Sequence, residues 1–248
     1  MLINFITANM IIIPMAGKSS RFYNEGYKVP KYKLSVFENS NVFCESLNSF
    51  KNYFDSETFL FVHRNDDGSE EFIINQCNYL SIKNIILKKI CFDTRGQAET
   101  VALGLVNLND KILSEPIYIF NIDSFLLNFK KPSPDFLLNT GGYLELFKGE
   151  GDHWSFAKIN GDLVTKTTEK IRISEFCSNG LYYFSSSKLF LETFKSLEIN
   201  NNYSELFIAP MYNILIDIGI TVKCSIIENK EILFCGTPNE YKKINPKS

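Results

Sequence analysis

Histidine is nearly absent from this 248-residue chain, which contains His63 and His153 and no others. The two stand far apart in sequence and match no triad pattern, so nucleophilic catalysis of the Ser–His–Asp or Cys–His kind is not expected. Six cysteines occur, at 44, 77, 91, 177, 224 and 235, and none forms a C-x-x-C pair. With so few histidines beside them, a zinc site is not expected either. Their irregular spacing in so long a chain argues against a disulfide framework, and they read as reduced, mostly core thiols of a cytosolic protein. An excess of one charge is also missing: Lys+Arg 26 against Asp+Glu 28 leaves a formal net charge of −2. There is no overall field to grip a nucleic-acid backbone, and no nucleic-acid partner is expected. No apolar run reaches the roughly 18 residues of a membrane span. The apolar start, residues 2–14, lacks a basic flank, and a basic loop follows where a small-residue cleavage site would stand. The expectation is a soluble, cytoplasmic, unprocessed chain without a membrane partner. Met10 is a second candidate start, with residues 1–9 a dispensable lead-in.

The composition itself is ordinary. Hydrophobic residues make up 45% and charged residues 22%, which excludes disordered and collagen-like chains. The length is enough to bury a large core in one domain. The 22 Phe and 12 Tyr read as compositional bias. Short apolar runs at residues 10–14 (MIIIP), 57–62 (ETFLFV), 84–87 (NIIL) and 116–120 (PIYIF) have the character of strands buried on both faces. Helix-like stretches separate them, at 42–53, 69–80 and 97–108; in the last, Ala98, Val101, Ala102, Leu105 and Val106 share a face. This alternation predicts βαβ crossovers and a mixed, mostly parallel sheet. The second half changes character, with short strands at 142–147, 154–159, 163–169 and 180–184 and a hairpin signal at Asn160-Gly161-Asp162. Helices are predicted at 186–197 and 204–218, then strands at 222–227 and 231–234 and a closing helix from Pro238. Residues 130–134 and 200–202 read as loops.

Three clusters carry chemistry. At 14–22 (PMAGKSSRF) a buried strand runs into a loop of small residues. In a parallel sheet that loop sits at the ligand-binding end, where exposed backbone N–H groups form an anion nest and Lys18 and Arg21 add charge. Arg21 can grip a phosphate through two donors. The loop is neither a Walker A sequence nor G-x-G-x-x-G. A second basic cluster, 26–34 (GYKVPKYKL), places Lys31 directly after Pro30, which stiffens the chain there. Third, Asp123 follows the strand at 116–120 and faces the same crevice, where an acid beside bound phosphates calls for Mg²⁺.

The order of these clusters resembles the nucleotidyltransferases that make activated sugars and related phosphate esters. "IIIPMAGKSSRF" followed by "GYKVPKYKLSVF" is similar to their opening, "RGQAETV" (95–101) to the segment near the nucleobase, and "FNIDSF" (120–125) to the strand end whose aspartate holds Mg²⁺. "TTEKIRISEFCSNGLYYF" (167–184) resembles their Glu-Lys acceptor segment, and "ELFIAPMYNILI" (205–216) and "FCGTPNEY" (234–241) their closing elements. The resemblance implies one domain over 1–248 with a three-layer αβα Rossmann-like fold of the GT-A-like kind. Residues 10–125 would form the nucleotide half and 126–248 the acceptor half. It implies that Arg21 and Lys31 contact the phosphates of a nucleoside triphosphate, CTP favoured, with Met15, Ala16, Gly17, Lys18, Ser19 and Ser20 forming the loop around it. Gln97 would meet the base, Asp123 the Mg²⁺ ion, Lys170 the phosphate of the acceptor, and Glu169 its polar groups. Tyr203, Glu205, Tyr212 and Asn213 are further candidates for the acceptor pocket, and His153 for its border. The bacterial surface-polysaccharide branch, including enzymes acting on phosphocholine and phosphoglutamine, is the nearest in pattern, and the resemblance admits a homodimer. One departure stands out. The second metal carboxylate usual before the C-terminal Gly-Thr is missing at 233–236 (LFCG), with Glu231 the nearest acid upstream. The competing readings are a glycosyltransferase of related fold, for which Asn121-Ile122-Asp123 offers only half of an Asp-x-Asp, and a non-catalytic nucleotide-binding homologue.

Overall fold

The computed structural model describes residues 9–65, 68–199 and 205–245. The lead-in at 1–8, the loop at 200–202 and Tyr203 lie outside the described residues. The first half runs β1 (Met10–Met15), α1 (Ser20–Asn24), β2 (Ser35–Val36), β3 (Ser40–Asn41), α2 (Val42–Asn48), β4 (Thr58–Arg64), α3 (Ser69–Leu80), β5 (Asn84–Ile90), α4 (Gln97–Leu105), α5 (Asp110–Ser114), β6 (Ile117–Phe120) and β7 (Ser124–Leu126). The second half runs β8 (Gly142–Lys148), β9 (Ser155–Asn160), β10 (Leu163–Glu169), β11 (Phe176–Phe184), α6 (Ser187–Ile199), α7 (Met211–Asp217), β12 (Val222–Ile226), β13 (Ile232–Phe234) and α8 (Pro238–Ile244).

Nine strands form one sheet in the order β5-β4-β1-β6-β11-β8-β12-β10-β9. From β5 to β6 the neighbours are parallel. Beyond β6 the sheet is mixed: β11 is antiparallel to β6 and to β8, β12 is parallel to β8, and β10 is antiparallel to β12 and β9. The expected mostly parallel sheet is therefore a property of the first half only. The reason is β11, a strand with no crossover helix before it, which enters from a turn and must run against β6. A further β9–β11 bridge closes β11, β8, β12, β10 and β9 into a small ring.

Period-two alternation splits the core between the two faces of the sheet. Met10 and Ile12 of β1 join one cluster with α4, α6 and α7; Ile11, Ile13 and Met15 join the other with α2 and α3. The phenylalanines dismissed as compositional bias build this second cluster, with Phe43 stacked on Phe61 at 5.4 Å and Phe50 edge-on to Phe120 at 5.0 Å. The predicted helix at 42–53 ends at Asn48, and a 3₁₀ turn covers Lys51–Tyr53. The helix predicted from 204 begins only at Met211, after Pro210. Proline suits a first helical turn and obstructs the turn before it, and the upstream stretch is instead hydrogen-bonded to Arg95 and Ala98. Gly161, at φ 60°, makes the β9–β10 hairpin as its sequence signals. Among the described residues no helix is long and apolar enough to cross a membrane.

Candidate active site

The loops that leave the carboxyl ends of β1, β4, β5 and β6 converge, as expected where parallel strands end together. They bring Ala16–Ser20, Arg64, Asp93–Gln97 and Asn121–Asp123 around a cavity of about 590 Å³. Met15 and Lys31 line it too. Ser19, in the left-handed region at φ 53°, turns the first loop, and its Oγ accepts a hydrogen bond from the Lys31 backbone N–H at 3.1 Å. That bond fastens the small-residue loop to the Pro-Lys segment. Lys31 Nζ donates to Asp123 Oδ2, and both side chains are largely shielded from solvent. Lys18 pairs with Asp93 at 2.5 Å, and Arg64 reaches the other oxygen of Asp93 at 2.7 Å. Hydrogen bonds from Lys18 and Arg64 hold the Asp93 carboxyl below the usual carboxylate range.

A second cavity of about 320 Å³ adjoins the first. Arg21 and Glu169 line it, together with Trp154, His153, Phe207 and Glu240. Lys31, Gln97, Asn121, Asp123 and Glu205 line both cavities. Burial raises the Glu169 carboxyl above its ordinary range and Glu205 adds to this, while the Ser155 hydroxyl, donating to Glu169 at 2.5 Å, opposes it.

The predicted residues thus separate into two groups. Met15, Ala16, Gly17, Lys18, Ser19 and Ser20 face the larger cavity, Arg21 and Glu169 the smaller, and Lys31, Gln97 and Asp123 the junction. Lys170 lines neither. Its ammonium lies 4.6 Å from the ring centre of Phe207, which does line the smaller cavity. Tyr212 is fully buried and donates to Tyr183 O, and Asn213 ties Thr167 of β10 to α7. Both are packing residues, not pocket residues. His63 is buried and bound to Ser69 and the Arg64 carbonyl. Sequence reasoning missed Arg64, Asp93 and Thr94; the signal available was their place at the carboxyl end of β4 and just beyond β5. It also missed Glu240, which a first helical turn after Gly-Thr-Pro concealed. Glu231 lines neither cavity, and its carboxylate accepts from the Glu228 N–H; Glu240, whose carboxylate likewise accepts from the Thr237 N–H at 2.9 Å, lines the smaller one.

No protein-family model matches the sequence, and no curated protein matches it. Among solved structures, a nucleoside-diphosphate-sugar pyrophosphorylase from Vibrio cholerae RC9 is 40% identical, with a TM-score of 0.88 over 96% of this chain and 100% of that one. The inositol-1-phosphate CTP transferase of T. maritima superposes with a TM-score of 0.70 at 16% identity, covering 94% of this chain and 91% of the other. A UDP-glucose pyrophosphorylase from Acinetobacter baumannii does so with a TM-score of 0.69 at 11% identity, covering 96% and 92%. The last two share the fold. Identity at the level of the Vibrio protein, over the whole length, shows more: the chain belongs to the nucleotidyltransferase family that includes that nucleoside-diphosphate-sugar pyrophosphorylase.

Proposed function

We propose that this chain transfers a nucleoside monophosphate from a nucleoside triphosphate, CTP foremost, to a phosphorylated small molecule or sugar phosphate, in the synthesis of surface polysaccharide. One observation carries the reading: two cavities, one ringed by a small-residue basic loop, meet at Lys31, Gln97, Asn121 and Asp123. Residues 10–125 supply most of the donor side, and residues 126–248 most of the acceptor side. A phosphate oxygen of the acceptor forms a bond to the α-phosphorus. The bond from that phosphorus to the β-bridging oxygen breaks, and pyrophosphate leaves with the electron pair. The nucleophile is already an anion, so no proton must move and no protein nucleophile is needed. Catalysis then rests on positioning and charge neutralisation, which suits a site with few histidines. Arg21 and Lys31 offset the charge of the phosphates. Lys170, 4.6 Å from the ring centre of Phe207, would take the acceptor phosphate.

The residues present fit a divalent cation. A Cβ at Gly236 would lie 2.8 Å from Asp123 Oδ2 and 3.6 Å from Glu240 Oε2, so the glycine keeps a space open between two carboxylates beside the cavity. Mg²⁺ favours one or two carboxylates plus phosphate oxygens. Asp123 and Glu240 would hold it, Glu240 taking the part of the acid missing at 233–236. When bound, the ion supplies charge neutralisation to the phosphates.

The test is a release assay of four nucleoside triphosphates and Mg²⁺ against a panel of phosphorylated metabolites. Pyrophosphate released only when donor and acceptor are both present is expected. Nucleoside diphosphate release from a nucleotide sugar would assign a glycosyltransferase instead, and binding without turnover a non-catalytic homologue.

A further inference from the structure

The five residues common to both cavities surround the place where donor and acceptor must meet. Four of them have evident parts: Lys31 and Asp123 form a pair, Glu205 is an acid, and Gln97 is a donor already in use. The fifth, Asn121, is held from every side. Its backbone N–H donates to Gly180 O at 3.2 Å, and its carbonyl accepts from Ser46 Oγ at 3.2 Å. Its side-chain Oδ1 accepts from Gln97 Nε2 at 2.5 Å. With Gln97 donating through Nε2, the Asn121 amide presents Nδ2 on its other edge. Gly180 completes the clamp. It sits at φ 92°, and a Cβ there would lie 2.6 Å from Asn121 Nδ2 and 2.8 Å from its Cγ. β11 is irregular at this point, its register with β8 shifting between Ser178 and Tyr182. Strand and glycine together leave the room that the Asn121 side chain occupies. Among the described residues no acceptor receives the Nδ2 protons, and Asn121 lines both cavities.

We infer that Asn121 is a catalytic residue whose Nδ2 donates to a non-bridging oxygen of the phosphoryl group in transfer, and that Gln97 and Gly180 are its positioning residues. This rests on the nucleotidyl transfer proposed above. Negative charge builds on those oxygens as the new P–O bond forms and the bond to pyrophosphate breaks. A fixed neutral donor stabilises that charge without rotating at the moment of reaction. A carboxylate in the same place would repel both Asp123 and the phosphate.

The experiment uses the full chain and the donor–acceptor pair found by pyrophosphate release. Asn121→Ala is expected to lower kcat by about 100-fold, the usual loss for one such donor. Affinity for the nucleotide by calorimetry and KM for the acceptor should stay within about threefold, since a transition-state contact does not alter ground-state binding. Gln97→Glu provides a second variant that leaves Asn121 in the chain. Its carboxylate cannot donate and would draw the Nδ2 protons away from substrate, so kcat should fall while Gln97→Met loses less. Retention of kcat within about threefold in Asn121→Ala, or a rise in KM at unchanged kcat, overturns the assignment to Asn121 alone. A wild type that binds nucleotide yet releases pyrophosphate with no acceptor overturns the transfer reading, and this inference with it.

Discussion

Gly96→Ala should loosen both cavities at once. Gly96 lies between Arg95 and Gln97 at φ 149°, and a Cβ there would stand 2.5 Å from Leu206 O, 2.7 Å from Leu206 N and 2.9 Å from Leu206 C. These are backbone atoms, so no rotamer change relieves the clash. The segments must part, and two hydrogen bonds go with them: Leu206 N–H to Arg95 O at 2.8 Å and Ala98 N–H to Leu206 O at 2.9 Å. An alanine forced into such a conformation costs about 1–2 kcal/mol. Two lost backbone hydrogen bonds add about 1 kcal/mol each, for a total of about 3–4 kcal/mol. At about 2–4 °C per kcal/mol for a chain of this size, the melting temperature should drop by about 6–16 °C. The same separation shifts Gln97 and Glu205, which line both cavities, and Phe207, which lines the smaller, so under the proposed function affinity for both substrates should weaken together. Thermal unfolding followed by circular dichroism, with calorimetric titration of nucleotide, measures both effects. A variant melting within 2 °C of wild type, or one that loses affinity for a single substrate, would refute the account of Gly96 as the seam between the cavities.

Further outcomes can be checked independently. Lys31→Ala and Asp123→Ala should each lower turnover by about 100-fold or more while the far-ultraviolet spectrum is unchanged, because each removes a charge from the phosphate site; near-wild-type rates in both reject the site. Mn²⁺ titration followed by electron paramagnetic resonance should show weaker binding in Asp123→Asn and in Glu240→Gln, whereas Glu231→Gln should bind as the wild type does. Burial raises the Glu145 carboxyl to about 7, with Asn179 opposing and Glu231 adding to the effect. The folded chain then holds this proton more tightly than the unfolded chain, so the stability it contributes is full below the unfolded pKa and is lost as pH rises through about 7. The wild type should therefore lose roughly 3 kcal/mol relative to Glu145→Gln between about pH 5 and pH 8, and parallel melting curves for the two proteins across that range would contradict it. Cys91 is exposed and the other five cysteines are buried; native chain should react with one equivalent of a thiol reagent quickly, and denatured chain with six.

The first half of the fold was legible because β1, β4 and β6 are buried on both faces, whereas β5, expected to be like them, lies half-exposed at the edge of the sheet. Continuous apolar runs such as 10–14 and 116–120 can be little else, and the small or acidic residues after them fall by topology at one end of the sheet. Gly17, Lys31 and Asp123 were found in this way, from local pattern and chain order. The second half was less legible, since β11 is antiparallel to both neighbours and the ring it closes is set by pairings between distant segments that no local period records. The start of α7 differs from the expectation because its apolar face continues upstream into residues 206–209, where Leu206 is hydrogen-bonded to the backbone of Arg95 and Ala98. The sequence by itself determined which residue types are at hand: a loop of small residues after the first strand, basic residues beside it, an acid after the strand at 116–120, and no triad pattern. Only the tertiary structure decided how these divide between two cavities, that Arg21 faces the smaller one, that Glu240 and not Glu231 stands near Asp123, and that Asn121 is clamped at the junction. The reason is that such relations depend on side chains as far apart along the chain as Arg21 and Glu240, brought together by packing, where contact is a matter of geometry and not of spacing along the chain.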